Sequence, residues 1–205
     1  MALVLNGSSN TIGGLAVGGL PDGIVDADML AANAVTAGKL ASGVGGKILQ
    51  VVSTTKTNSQ STSSVNSYVD IAGFSLSITP SSTSSKIFVQ IALQHGGENN
   101  SFLGFKVYRD STAIGLNGGG DAAGNVSVVS FGGGQGQDND NYRVRGLAWQ
   151  HLDSPNSTSS LTYKIQFCSL YYGYTVYINR PHLFDTTNYY TALGSSSFTL
   201  MEVAA

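Results

Sequence analysis

Charge is what this sequence has least of. Asp, Glu, Lys and Arg together make up 11% of its 205 residues, against about a quarter of an average soluble domain. The net charge is −2, and the few Lys and Arg are scattered. That leaves no positive footprint for gripping a phosphate backbone, so nucleic acid is not an expected partner. Cysteine is nearly absent too. Cys168 is the single one, so no intrachain disulfide forms, and its place in the run Tyr163-Lys-Ile-Gln-Phe-Cys predicts a buried apolar thiol. Long apolar runs are missing, and the opening Met-Ala-Leu-Val-Leu-Asn-Gly-Ser carries no basic segment, which predicts neither a secretory leader nor a membrane insertion. Synthesis in a cytoplasm follows, and the sequons at Asn6, Asn125 and Asn156 then carry no weight.

What fills the space is Gly, Ser, Thr and Asn. Their neutral hydroxyls and amides can be buried in hydrogen bonds where Lys or Glu could not, which suits strands, tight turns and large chain-to-chain interfaces. One core is expected at this length. Residues 1–46 read as an arm: Gly13-Gly14, Gly18-Gly19, Pro21-Asp22-Gly23 and Gly45-Gly46 punctuate an Ala-rich stretch. Inside it Val25-Asp-Ala-Asp-Met-Leu-Ala is echoed ten residues later by Val35-Thr-Ala-Gly-Lys-Leu-Ala. Asp26 and Thr36 stand as N-caps before two short helical turns. Turns this short do not hold alone, so Val25, Leu30, Val35 and Leu40 are candidate anchors for trimerisation or docking.

From residue 47 the period becomes two. Leu161, Tyr163, Ile165 and Phe167 alternate with Thr162, Lys164 and Gln166. Similar runs are Lys47 to Val52, Phe74-Ser-Leu-Ser-Ile, Lys86-Ile-Phe-Val-Gln-Ile-Ala-Leu, Leu103 to Arg109, Val126 to Phe131, Val144 to His151, Thr175 to Ile178 and Phe198 to Val203. The tract from Ser53 to Ser67 reads as an edge strand and a loop. Gly96-Gly97, Gly118 to Gly120 and Gly132 to Gly136 read as exposed loops between strands. The predicted fold is all-β: an antiparallel jelly-roll-like sandwich of eight or nine strands over 47–205, preceded by the extended arm with its helical turns.

Chemistry is thinly marked. His95, His151 and His182 lie far apart, with no metal-ligand spacing. Asp138-Asn-Asp-Asn lacks the Gly and the closing acid of a calcium loop and reads as a solvated turn. The close acid pairs, Asp26 with Asp28 and Asp138 with Asp140, lie in arm or turn contexts and do not suit paired-carboxylate hydrolysis. No nucleophile elbow or phosphate loop is present. The expectation is a protein that is not an enzyme and needs no cofactor or metal. Aromatics say more: seven of ten tyrosines fall between Tyr163 and Tyr190. Of these, Tyr171, Tyr172, Tyr174, Tyr177, Tyr189 and Tyr190 form a candidate patch, either a subunit interface or a surface for stacking on glycans. Arg180-Pro181 is expected to end a strand, while Arg143 and Arg145 are placed on one strand face, suited to carboxylates of a neighbouring chain or an acidic glycan.

The stretch from Gly19-Leu-Pro-Asp-Gly to Gly38-Lys-Leu-Ala resembles the N-terminal arms of phage tail-fibre and virion-attachment proteins. Lys47-Ile-Leu-Gln-Val-Val-Ser-Thr-Thr-Lys-Thr and Ser75-Leu-Ser-Ile-Thr-Pro-Ser-Ser-Thr-Ser-Ser-Lys-Ile resemble the opening strands of a module of marine and freshwater phages, cyanophages among them. Leu152-Asp-Ser-Pro, Ser160-Leu-Thr-Tyr-Lys-Ile-Gln, Val176-Tyr-Ile-Asn-Arg-Pro and Ser197-Phe-Thr-Leu-Met-Glu-Val follow in the same order. The resemblance implies a homotrimeric β-sandwich knob on the virion exterior, made in the bacterial host and held to other virion proteins of capsid, neck or tail by its arm. The chain lacks the long shaft of many tail fibres. A capsid-decorating or cement knob therefore fits as well as a fibre, and the alternative is a receptor-binding fibre tip that recognises host-surface glycans.

Overall fold

Alternating side chains become paired strands throughout the second of two compact units, Met1–Gly46 and Lys47–Ala205. The computed structural model describes residues 4–6, 11–13, 35, 46–116, 126–137, 140–187 and 191–205. In the first unit β1 (Val4–Asn6) pairs antiparallel with β2 (Thr11–Gly13), a ribbon the Gly-rich reading did not anticipate. The two expected helical turns, with Val25, Leu30 and Leu40, lie outside the described residues; Val35 is described and exposed.

The second unit is all-β and antiparallel, in two sheets. The first holds β3 (Ile48–Lys56), β4 (Gln60–Thr62), β6 (Lys86–Gly97), β10 (Arg145–Asp153), β12 (Val176–Ile178) and β13 (Ser196–Val203). Its order is β10, β6, β13, β3, and β12 with β4 continue the β13 and β3 lines beyond the end of β13. The second sheet holds β5 (Val69–Ile78), β7 (Phe102–Arg109), β8 (Thr112–Ile114), β9 (Phe131–Gly134) and β11 (Leu161–Ser169). Its order is β5, β11, β7, with β8 and β9 sharing the far edge of β7. The chain changes sheet from β4 to β5, β5 to β6, β6 to β7, β9 to β10, β10 to β11 and β11 to β12, the jelly-roll-like weave expected from the pattern. A bulge at Gly73, whose φ is +69°, lets four residues of β5 face one of β11.

The inward row of each strand builds the core. Ile87, Val89, Ile91 and Leu93 of β6 face Leu103, Phe105, Val107, Tyr163, Ile165 and Phe167 of the other sheet, all buried. Phe74 and Phe198 meet across the sheets with ring centroids 5.7 Å apart. Along one flank the rings of Phe167, Phe105, Phe131, Trp149 and His151 stack in succession. Cys168 is buried as expected, and burial pushes its thiol up. At one end the Asp153 carboxylate accepts from Arg109 Nη1 on both oxygens at 2.6–2.7 Å and from the hydroxyl of Tyr163 at 2.7 Å, joining β7, β10 and β11.

Several expectations give way. Gly96 and Gly97 are not a loop but the buried end of β6, paired with β12. A Cβ on Gly96 would stand 2.2 Å from the Arg180 carbonyl, and one on Gly97 would stand 2.2 Å from Ser101 Oγ; glycine is there for close approach, not for a turn. Gly132, Gly133 and Gly134 likewise belong to β9, while Gly118 to Gly120 lie outside the described residues. Val126 to Ser130 form no strand. There Ser130 Oγ accepts the Val107 N–H and donates to the Ile114 carbonyl, taking ladder positions that a strand would use. The tract from Ser53 does behave as edge strand and loop, in β3 and β4.

Candidate interaction surfaces

The two sheets present opposite kinds of surface to the outside. On the second, Asp70 is paired with Lys164 at 3.1 Å and accepts from Gln166, and Lys106 stands over the ring of Tyr68. That is a solvated face. The outward residues of β3, β13, β6 and β10 include one charge, Lys86. Cross-strand register puts Val51 opposite Met201, Met201 opposite Phe88, and Phe88 opposite Leu152, so an apolar row crosses all four strands. Val51 is 54% exposed and Leu152 47%. Ser53, Thr199, Gln90 and Gln150 form the next row, and Thr55, Ser197, Ala92 and Ala148 the one after. Uncovered apolar rows of this kind mark contact surfaces. Period-two counting marks these residues as outward, but only the register brings them into line.

Of the six candidate tyrosines, three come together. Tyr171 meets Tyr172 edge-on with centroids 4.1 Å apart, Tyr174 at 6.1 Å, and Phe102 of β7 at 6.0 Å. A tight turn, closed by Tyr174 N–H to the Tyr171 carbonyl, holds Tyr172 at φ +47°, and Tyr172 is 77% exposed. A hydrogen bond with Tyr172 pushes the Tyr171 hydroxyl up. Tyr177 does not join this cluster: its ring lies against the Arg180 guanidinium at 4.8 Å and against His182. Tyr189 and Tyr190 lie outside the described residues. Arg180 follows β12 as expected, and it also covers the ring of Phe184.

Asp140 corrects the reading of its segment as a solvated turn; Asp138 is outside the described residues. It starts a 3-10 turn, Asp140–Tyr142, and is buried, because its carboxylate is filled by the Gly136 N–H and by Arg145, with Arg143 at 3.6 Å. The two arginines do not share a strand face: Arg145 opens β10, and Arg143 lies before it in the segment after the turn. Their carboxylate is in their own chain. With Tyr142, Val144 and Ala192 they line an open cleft of about 440 Å³.

The histidines do not converge, and among the described residues no three His, Cys, Asp or Glu side chains gather in a metal-binding group. His95 is buried between the sheets; burial, and behind it the charge of Arg145, pushes it down to about 4. His151 stacks on Trp149 and His182 on Tyr177. Among the described residues no helix is long and apolar enough to cross a membrane.

No protein-family model matches the chain, and no curated protein does. Among solved structures, the chain is similar to a structure of the infectious bursal disease virus Gx strain, at 14% identity and a TM-score of 0.38, over 77% of this chain and 39% of that one. It is similar at 11% identity and a TM-score of 0.38 to the VP2 subviral particle of infectious bursal disease virus, over 76% of this chain and 37% of that one. The chain thus spans about two fifths of the length of these neighbours. A likeness at that level bears on neither mechanism nor partner.

Proposed function

We propose that this chain is a non-enzymatic structural protein of a virion exterior, a homotrimeric fibre or capsid-decorating knob whose 47–205 sandwich self-associates while residues 1–46 dock on the particle. The observation that carries the reading is the outer face of β3, β13, β6 and β10, with its row of Val51, Met201, Phe88 and Leu152 and its single charge. A second copy is the fitting cover, because a face with a single charge meets a neighbouring chain with almost no like-charge repulsion and its Ser, Thr and Gln rows can exchange hydrogen bonds. Four strands at about 4.8 Å by eight residues at about 3.3 Å give roughly 500 Å² of footprint. A lasting interface takes about 800 Å² from each partner. A closed ring, in which each chain meets two neighbours through two patches, supplies the difference where a dimer through this face alone does not. Among the described residues β10 pairs only with β6, so its nine-residue outer edge extends the same surface. Replacing Phe88→Lys tests the assignment: the variant is expected to keep its β circular dichroism and to run as a monomer in light scattering. A Phe88→Lys chain that stays trimeric removes this face as the interface.

Recognition of host-surface glycans is the second reading, supported by the exposed cluster of Phe102, Tyr171, Tyr172 and Tyr174. Rings fixed by a tight turn offer stacking area at little entropic cost. Labelling of host cells by the wild-type chain, lost with Tyr172→Ala, is the expected result; equal labelling by both excludes the cluster.

A further inference from the structure

Arg143 and Arg145 line a cleft with Tyr142, Val144 and Ala192, and Asp140 pairs with both; among the described residues that leaves one positive charge in excess. Arg145 is committed to Asp140, whose carboxylate also accepts the Gly136 N–H. Arg143 is not. Its Nη1 stands 3.6 Å from Asp140 Oδ1, beyond hydrogen-bond length, and its side chain is 66% exposed. A planar fork of donors is therefore held at the cleft by a distant charge and left with its hydrogen bonds unspent, the arrangement that suits a carboxylate.

Among the described residues, carboxylates elsewhere already hold donors of their own, which favours a guest from outside the chain. Asp70 holds Lys164 and Gln166, Glu98 the Thr175 N–H, Asp110 the Thr162 N–H, and Glu202 holds Ser81 and Gln50. The cleft volume, about 440 Å³, lies within the range of small-molecule sites, and Val144 and Ala192 give it an uncharged wall against which a sugar ring can lie. We propose that this cleft binds a carboxylated sugar, a uronic-acid residue of an acidic polysaccharide, with Arg143 holding the carboxylate and Arg145, anchored by Asp140, supplying the field behind it. The inference rests on the glycan-recognition reading and names its ligand; it does not depend on the trimer.

Calorimetric titration of the 205-residue chain with tetragalacturonate tests it. Saturable binding is expected, weakening roughly tenfold or more with Arg143→Ala and with the methyl-esterified oligosaccharide, and weakening as salt is added. Arg143 is exposed, so its loss leaves the fold intact, and an unchanged melting temperature verifies that. Binding of oligoglutamate or of inorganic phosphate as tight as that of tetragalacturonate overturns the proposal in favour of a general anion site. Equal binding of the methyl ester overturns it as well. If tetragalacturonate binds and Arg143→Ala changes nothing, glycan recognition stands and this cleft is the wrong site; if tetragalacturonate does not bind, the uronic-acid proposal falls, and cell labelling decides the glycan reading by itself.

Discussion

Asp153 sits at the end of β10 with two Arg109 bonds and the Tyr163 hydroxyl on its carboxylate, and it is nearly buried. Removing one partner of such a pair leaves a buried charge without compensation. Asp153→Ala is expected to lower stability by about 3–5 kcal/mol in urea unfolding, whereas Tyr163→Phe, which removes one hydrogen bond to a charged group, costs about 1.5–3 kcal/mol. Equal, small losses for both would show the network to be idle. Two further groups set the acid limb of stability. His95, pushed down to about 4 by burial and by Arg145, stays neutral in the folded chain while an unfolded histidine gains its proton near 6.5. The unfolded state thus binds more protons, and stability falls as pH drops from about 6.5 towards 4. Burial raises the Glu202 carboxyl, but hydrogen bonds from Ser81, Gln50 and Ser85 outweigh it and hold it down to about 2, so its contribution is lost between about 4.5 and 2. Melting curves against pH should therefore show two descents. His95→Leu is expected to flatten the upper one and Glu202→Gln the lower; a His95→Leu profile that still falls between 6.5 and 4 contradicts the assignment.

At the scale of elements, β6 is the strand on which the sandwich turns, paired with β10 on one side and with β13 and β12 on the other. Its far end admits only glycine. Gly96→Ala would drive a Cβ into the Arg180 carbonyl and the Pro181 backbone, and a cost of about 1–3 kcal/mol is expected from such overpacking. The thermal midpoint reads it directly, and an unchanged midpoint would mean that the Arg180-Pro181 segment gives way freely. These same glycines mark where sequence reading stopped. Alternation over Leu161, Tyr163, Ile165 and Phe167 identified β11, because a half-buried strand writes period two into its side chains. Glycine has no side chain to alternate, so Gly96 and Gly97 read as punctuation although they pair with Tyr177 and Val176. The tyrosine turn was visible as composition, but its partner Phe102 was not, since a contact across 69 positions depends on the pairing of β7 with β11. The union of Asp140 with Arg143 and Arg145 hid behind a 3-10 turn that leaves no periodic trace.

For the whole molecule, the asymmetry between the two outer faces carries the account. One face spends its few charges on Asp70, Lys164 and Lys106, as a surface in water does; the other lines up Val51, Met201, Phe88 and Leu152. Low charge in the composition announced interfaces without saying where, and cross-strand register supplies the place. Self-association through that face is the central claim, and the molar mass of the wild-type chain in solution tests it most directly. Light scattering at a range of concentrations is expected to return the mass of three 21.2 kDa chains. A wild-type mass that stays at one chain throughout contradicts it.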